Sequence, residues 1–169
     1  MNKPYRVFVI GFMGTARKEK AMELAQEKNI PYLDMDEEIQ RLDGRSILRL
    51  CMTMGEHAYR NKEFELLSKL ADEAFDIGMA AKETYPEELV VSCGDGIILD
   101  DECYEILKNS EVVLVDDDPE KLWEVAKEDK NLPYAFLHVG NKDEQKQKFI
   151  EFYELRKELY MSLINKSFT

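Results

Sequence analysis

Apolar residues in this chain fall into short unbroken runs, separated by longer stretches in which apolar and polar positions recur with helical spacing. Tyr5–Ile10 (YRVFVI) is β-branched and aromatic and stops at Gly11, as a buried strand would. Tyr32-Leu33 leads into a second short strand ending at Asp34, and Leu89–Cys93 and Val112–Val115 predict a third and a fourth. Between the first two, from about Lys18 to Lys28, Ala21, Met22, Leu24 and Ala25 share one helical face, and Asn29-Ile30-Pro31 breaks the helix. A helix through Ile39 and Leu42 halts at Gly44, and Ser46 is placed to cap the next. Leu67, Leu70, Ala74 and Ile77 mark one face of a long helix from Glu56 to about Ala81. Asp118-Pro119 opens another in cap-then-proline order, and the last runs roughly from Lys142 to Leu163.

Strands alternating with helices, each strand an apolar run, predict an α/β fold: one three-layer domain over residues 1–169, with a central parallel sheet flanked by helices. Ligands of such sheets bind beyond the carboxyl ends of the strands. Those ends are Gly11, Asp34, Gly94 and Asp116, so the chemistry is expected there.

Composition narrows the choice of partners. With 169 residues and 44% hydrophobic content the chain has enough apolar material for a core. A formal net charge of -12 argues against nucleic acid and anionic membranes, which call for clustered Lys and Arg. No leader peptide and no membrane-spanning run are read from the sequence, and Cys51, Cys93 and Cys103 show no CxxC spacing; the expectation is a cytoplasmic protein with reduced thiols. His57 and His138 lack partners at metal-ligand spacing, and Trp123 reads as packing. Asp116-Asp117-Asp118 reads as a strand end followed by a helix cap.

Gly11-Phe12-Met13-Gly14-Thr15-Ala16-Arg17-Lys18 lies between a strand and a helix, where a phosphate loop belongs. The working pattern is G-x-x-x-x-G-K-[ST]: backbone N–H groups face phosphate, Lys reaches the β- and γ-phosphates, and the hydroxyl holds Mg²⁺. Here Ala16 replaces the second Gly, Arg17 the Lys and Lys18 the hydroxyl residue. A Cβ at position 16 would oppose a positive φ, and Lys18 puts a cation where a metal would bind. A plain strand-to-helix turn is the competing account.

Further motifs follow in order. Leu33-Asp34-Met35-Asp36-Glu37-Glu38-Ile39 comes after the second strand; Gly44-Arg45-Ser46-Ile47 and Gly55-Glu56-His57-Ala58-Tyr59-Arg60 come next. Gly94-Asp95-Gly96 follows the third strand, and Arg156-Lys157-Glu158-Leu159-Tyr160 stands near the end. In order and spacing, over roughly residues 5–160, the chain resembles the shikimate kinases, which have a P-loop kinase-like fold.

The resemblance implies a pocket for shikimate or a similar hydroxy carboxylic acid. Asp36 would accept hydrogen bonds from substrate hydroxyls and favour deprotonation of the attacking one, the catalytic part. Arg60 and Arg156 would grip the carboxylate, Gly96 would bring backbone close to the ligand, and Asp34 would help order Mg²⁺ through water. Singly, these residues also read as carboxylates opening a helix and as arginines on solvated helix faces.

The chain departs from the family pattern at Ala16, Arg17 and Lys18, and in a lid segment at about 128–142. There Glu128 and Leu132 stand where the family carries two arginines. It ends at Thr169, about where the family's fifth strand would be completed, and Asp95 replaces the middle glycine of a triplet. The degenerate loop Gly11, Gly14, Thr15, Ala16, Arg17, Lys18 is then expected to bind Mg-ATP weakly or not at all, while a simple anion can still sit there. Three functions stay open: a binding protein, weak or inactive as a kinase, that keeps the hydroxy-acid pocket; an active shikimate kinase with non-standard phosphate contacts; and an interaction or scaffold protein with a vestigial site. No cofactor is expected, except ATP and Mg²⁺ if the kinase reading holds.

Overall fold

The computed structural model describes residues 4–71, 85–134 and 137–165. Four parallel strands form its sheet: β1 (Tyr5–Ile10), β2 (Tyr32–Asp34), β3 (Glu88–Ser92) and β4 (Glu111–Leu114), in the order β2-β3-β1-β4. Phe8 pairs with Val91 of β3 on one side and Val112 of β4 on the other. Helices α1 (Arg17–Lys28), α2 (Met35–Asp43), α3 (Ile47–Met54), α4 (Glu56–Ala71), α5 (Asp101–Lys108), α6 (Pro119–Ala126) and α7 (Lys142–Asn165) flank it. The fold is the expected α/β architecture.

Strand periodicity divides the core. Val7, Val9 and Val90 face one side of the sheet, where Ala21 and Ala25 of α1 meet them; the small side chains let the helix approach closely. Phe8, Ile10, Leu89 and Val91 face the other, larger core, which Leu66, Leu67 and Leu70 of α4, Trp123 of α6 and Phe149 of α7 complete. Met22 is 55% exposed and Leu42 is 47% exposed, against the faces expected for them. Ala21 and Ala25, one turn apart, already fill the contact with the sheet, and Met22 lies a hundred degrees round the helix from Ala21. The edge strand β4 is only half-buried, since just one neighbour covers its side.

Local chemistry sets the boundaries. Asn29 ends α1 in the left-handed region at φ 56, and Gly44 ends α2 at φ 88. The Ser46 hydroxyl accepts from Arg49 N, and Asp118 accepts from Glu120 N ahead of Pro119. The third and fourth strands each begin and end one residue earlier than expected. Of the long helix expected from Glu56, the part up to Ala71 is α4, whereas Ala74 and Ile77 lie outside the described residues. His57 is exposed, and His138 Nε2 lies 2.7 Å from the Leu132 carbonyl. No cluster of His, Cys, Asp and Glu fit for a metal occurs among the described residues.

Candidate functional site

The carboxyl ends of β1, β2 and β3 meet the amino ends of α1 and α2 in one region. Gly11 follows β1; a Cβ there would come within 2.6 Å of the Val115 carbonyl oxygen, so the loop is pressed against the neighbouring strand. Gly14, at φ +82, supplies the turn. Ala16 has φ -83 and precedes α1 directly, so its Cβ causes no backbone strain; the difficulty expected from a positive φ does not arise. Arg17 turns inward and its Nη1 donates to the Cys93 carbonyl at 2.8 Å. Its guanidinium, although burial opposes the charge, is held ionised by Asp95, Tyr160, Asp36 and Asp34 around it. Lys18 pairs with Glu37 and lies 4.0 Å from Asp34 Oδ2. The residues at this corner therefore do not fit the metal contact of the working phosphate-loop pattern: an ammonium already stands there.

Asp34 is engaged at both oxygens. Ser92 Oγ donates to Oδ1 at 2.6 Å, and Glu37 N donates to Oδ2 at 3.0 Å, which makes Asp34 the N-cap of α2. Its helix-opening role is thus realised. Asp36, the second residue of the same helix, points elsewhere. Its Oδ1 accepts from the Tyr59 hydroxyl at 2.6 Å, and no described residue donates to its Oδ2. Burial pushes the Asp36 carboxyl up to about 6; the Tyr59 hydrogen bond opposes this, and the charge of Asp34 adds to it.

Arg60 and Arg156 do not lie on solvated faces. Arg60 has a side chain 13% exposed, donates from Nη1 to Glu63 Oε1 and from Nη2 to Glu56 Oε1, both at 3.0 Å, and lies 5.0 Å from the centroid of the Tyr59 ring. A Cβ on Gly96 would collide with this guanidinium, so any side chain there would push Arg60 out of its present position. Gly94 is equally constrained, because a Cβ would come within 2.8 Å of the Tyr59 hydroxyl and 2.9 Å of Glu63 Oε2. Arg156, on α7, is wrapped by the Phe12, Tyr134 and Phe152 rings, with centroids 5.2–5.3 Å away. Its Nη1 donates to Asp95 Oδ2 at 2.9 Å.

Tyr134 joins the two arginines. Its hydroxyl donates to Asp95 Oδ2 at 2.6 Å and accepts from Arg60 Nη2 at 3.3 Å and Arg156 Nη2 at 3.2 Å. The Tyr160 hydroxyl reaches the carbonyls of both Gly11 and Asp95, tying the first loop to the third. Asp36, Arg60, Gly96 and Arg156 thus belong to one connected cluster. The space between the arginines is filled by Tyr134 and Asp95 and is not an open cleft. Glu63 and Tyr134 were not picked out in the sequence. Glu63 could have been, since it lies three residues after Arg60 and four after Tyr59 on a helix. For Tyr134 the sequence holds no such signal.

A description of the shikimate kinases matches residues 13–168. That decides the family. The chain belongs to the shikimate kinases. It is 31% identical over 156 residues to a bifunctional shikimate kinase/3-dehydroquinate synthase of Thermotoga maritima, covering 92% of this chain and 27% of that protein. It is 33% identical over 128 residues to a shikimate kinase of Desulforudis audaxviator, covering 75% of this chain and 61% of that one. The chain therefore spans less than two thirds of the length of these relatives. Among solved structures, the shikimate kinase of Acinetobacter baumannii in complex with shikimate superposes with a TM-score of 0.77 at 27% identity, covering 95% of this chain and 79% of that one. The Aquifex aeolicus enzyme gives 0.61 at 27% identity, covering 96% and 98%. No helix among the described residues is long and apolar enough to cross a membrane.

Proposed function

We propose that this chain is a weak ATP-dependent kinase acting on shikimate or a similar polyhydroxylated ring, with Asp36 receiving the hydrogen bond of the hydroxyl to be phosphorylated. One observation carries the reading: Asp36 is held by Tyr59 through a single oxygen, at the strand ends and beside the glycine loop, with its second oxygen free to accept. Once ionised, it accepts the ligand's hydroxyl proton as the oxygen becomes a nucleophile. The names of the relatives support the reaction class.

The loop supports slow transfer. Phosphoryl transfer depends on positioning and on neutralising charge. Arg17 and Lys18 bring two cations to the loop, yet Arg17 is drawn towards Cys93 and Lys18 towards Glu37. Leu132 is buried and carries no charge, and Glu128 carries the opposite charge to the arginine of the family pattern. The test is ADP release and phosphorylated product from ATP, Mg²⁺ and shikimate or a related ring. Slow turnover that Asp36→Asn abolishes is the expected result. No product after prolonged incubation, alongside calorimetric binding of the ring compound, would leave a binding protein instead.

A further inference from the structure

Asp95 stands where the family pattern has a glycine, and its carboxylate is almost wholly buried, at 6% exposure. Oδ2 takes both the Arg156 Nη1 and Tyr134 hydroxyl hydrogens. Burial would push this carboxyl up, but Arg156, Arg17, the Tyr134 hydrogen bond and Arg60 hold it below the ordinary carboxylate range. It is therefore a buried anion at neutral pH. Among the described residues Asp95 is the acidic partner of Arg156, and three aromatic rings enclose the rest of that guanidinium. Arg60 is likewise engaged, by Glu56 and Glu63. Both arginines that the resemblance assigns to an acid already hold carboxylates of the chain itself.

A ligand carboxylate seeking Arg156 would have to displace Asp95 and leave it ionised without its partner in a buried place. It would also join Asp34, Asp36, Glu63 and Asp95 in one small region. A hydroxyl group meets no such obstacle, because Asp36 Oδ2 is free to accept it. We propose that Asp95 is the specificity-determining residue of the site: the protein's own carboxylate occupies Arg156, so the site selects a polyhydroxylated ring without a free carboxylate.

This inference rests on the ring-binding reading of Asp36, and the test separates the two. The full chain and its Asp95→Gly and Asp95→Asn variants are titrated calorimetrically with shikimate and with its uncharged methyl ester. The parent is expected to prefer the ester at least tenfold. Asp95→Gly is expected to reverse the order, with shikimate affinity rising at least tenfold. Asp95→Asn keeps a hydrogen-bond acceptor for Tyr134 and removes the charge, so it reports on specificity even if the glycine variant fails to fold. An acid preference in the parent, or unchanged preferences in both variants, overturns the inference alone. Binding of neither compound by any of the three proteins overturns the ring-binding reading, and this inference with it.

Discussion

Arg60 Nη1 lies 3.0 Å from Glu63 Oε1, one helical turn along α4, and Glu63 has no exposed surface at all. The pair therefore places a carboxylate where burial opposes its charge, and a guanidinium is the chief group that makes the charge tolerable. Losing the arginine should expose that dependence.

Arg60→Ala is expected to destabilise the chain by about 3–5 kcal/mol, the scale of a broken buried pair. Burial pushes the Glu63 carboxyl up to about 7 even with Arg60 present, and without Arg60 it would go higher. The cost of the substitution should therefore be smaller below pH 7, where both proteins bind the proton, and should grow as pH rises above it. Denaturant unfolding at pH 6 and pH 8 checks the sign. A double variant with Glu63→Gln should recover most of the loss.

Asp36 and Glu63 together should shape the stability curve of the parent protein. Burial raises their folded values to about 6 and about 7, from 3.8 and 4.5. Between these limits the folded state binds more protons than the unfolded one, so stability should fall as pH climbs from about 4 to about 7. Glu63→Gln should flatten the upper part of that decline. Thermal melting across the range measures it.

The same carboxyl governs the proposed chemistry. Below about pH 6 Asp36 holds its proton and cannot accept one from a ligand hydroxyl. Turnover should rise with pH through about 6, and Asp36→Ala should weaken ring binding by about 1.5–3 kcal/mol, as for a lost hydrogen bond to a charged group. Calorimetry and a pH–rate profile test the two parts.

Restoring the phosphate-loop pattern should strengthen the nucleotide half. The triple change Ala16→Gly, Arg17→Lys and Lys18→Ser releases the corner now held by the Lys18–Glu37 pair and supplies a hydroxyl. Mg-ATP affinity is expected to rise roughly tenfold or more, each tenfold being about 1.4 kcal/mol. Equal affinity in parent and triple variant would show that these positions do not limit binding.

Phe149 of α7 holds the loop from behind. It is fully buried, meets Phe12 edge-on at 5.0 Å and lies 5.3 Å from Trp123. Phe149→Ala should cost about 3–5 kcal/mol. Because Phe12 also lies against Arg156, the Asp95–Arg156 pair should loosen with it. Chemical denaturation gives the first number, and near-ultraviolet dichroism of Trp123 reports the local change.

The pattern of the chain by itself determined the α/β fold and nearly all the described elements. Apolar runs such as Tyr5–Ile10 and stop signals such as Gly44 act over a few residues, so their meaning survives without knowledge of neighbours. The motif order likewise pointed to the family and to Asp36, Arg60, Gly96 and Arg156 as one group. Only the tertiary structure decided what those residues do to each other. The sequence left open whether Asp34 caps a helix, and left Tyr134 and Glu63 out of the site. It showed Asp95 in the place of a glycine and named no partner for its charge. Residues 95 and 156 are far apart along the chain, and the packing of α7 behind the sheet brings them to 2.9 Å. A charge reads the same in any sequence; its partner is chosen by the fold, since burial makes an unpartnered carboxylate too costly to keep.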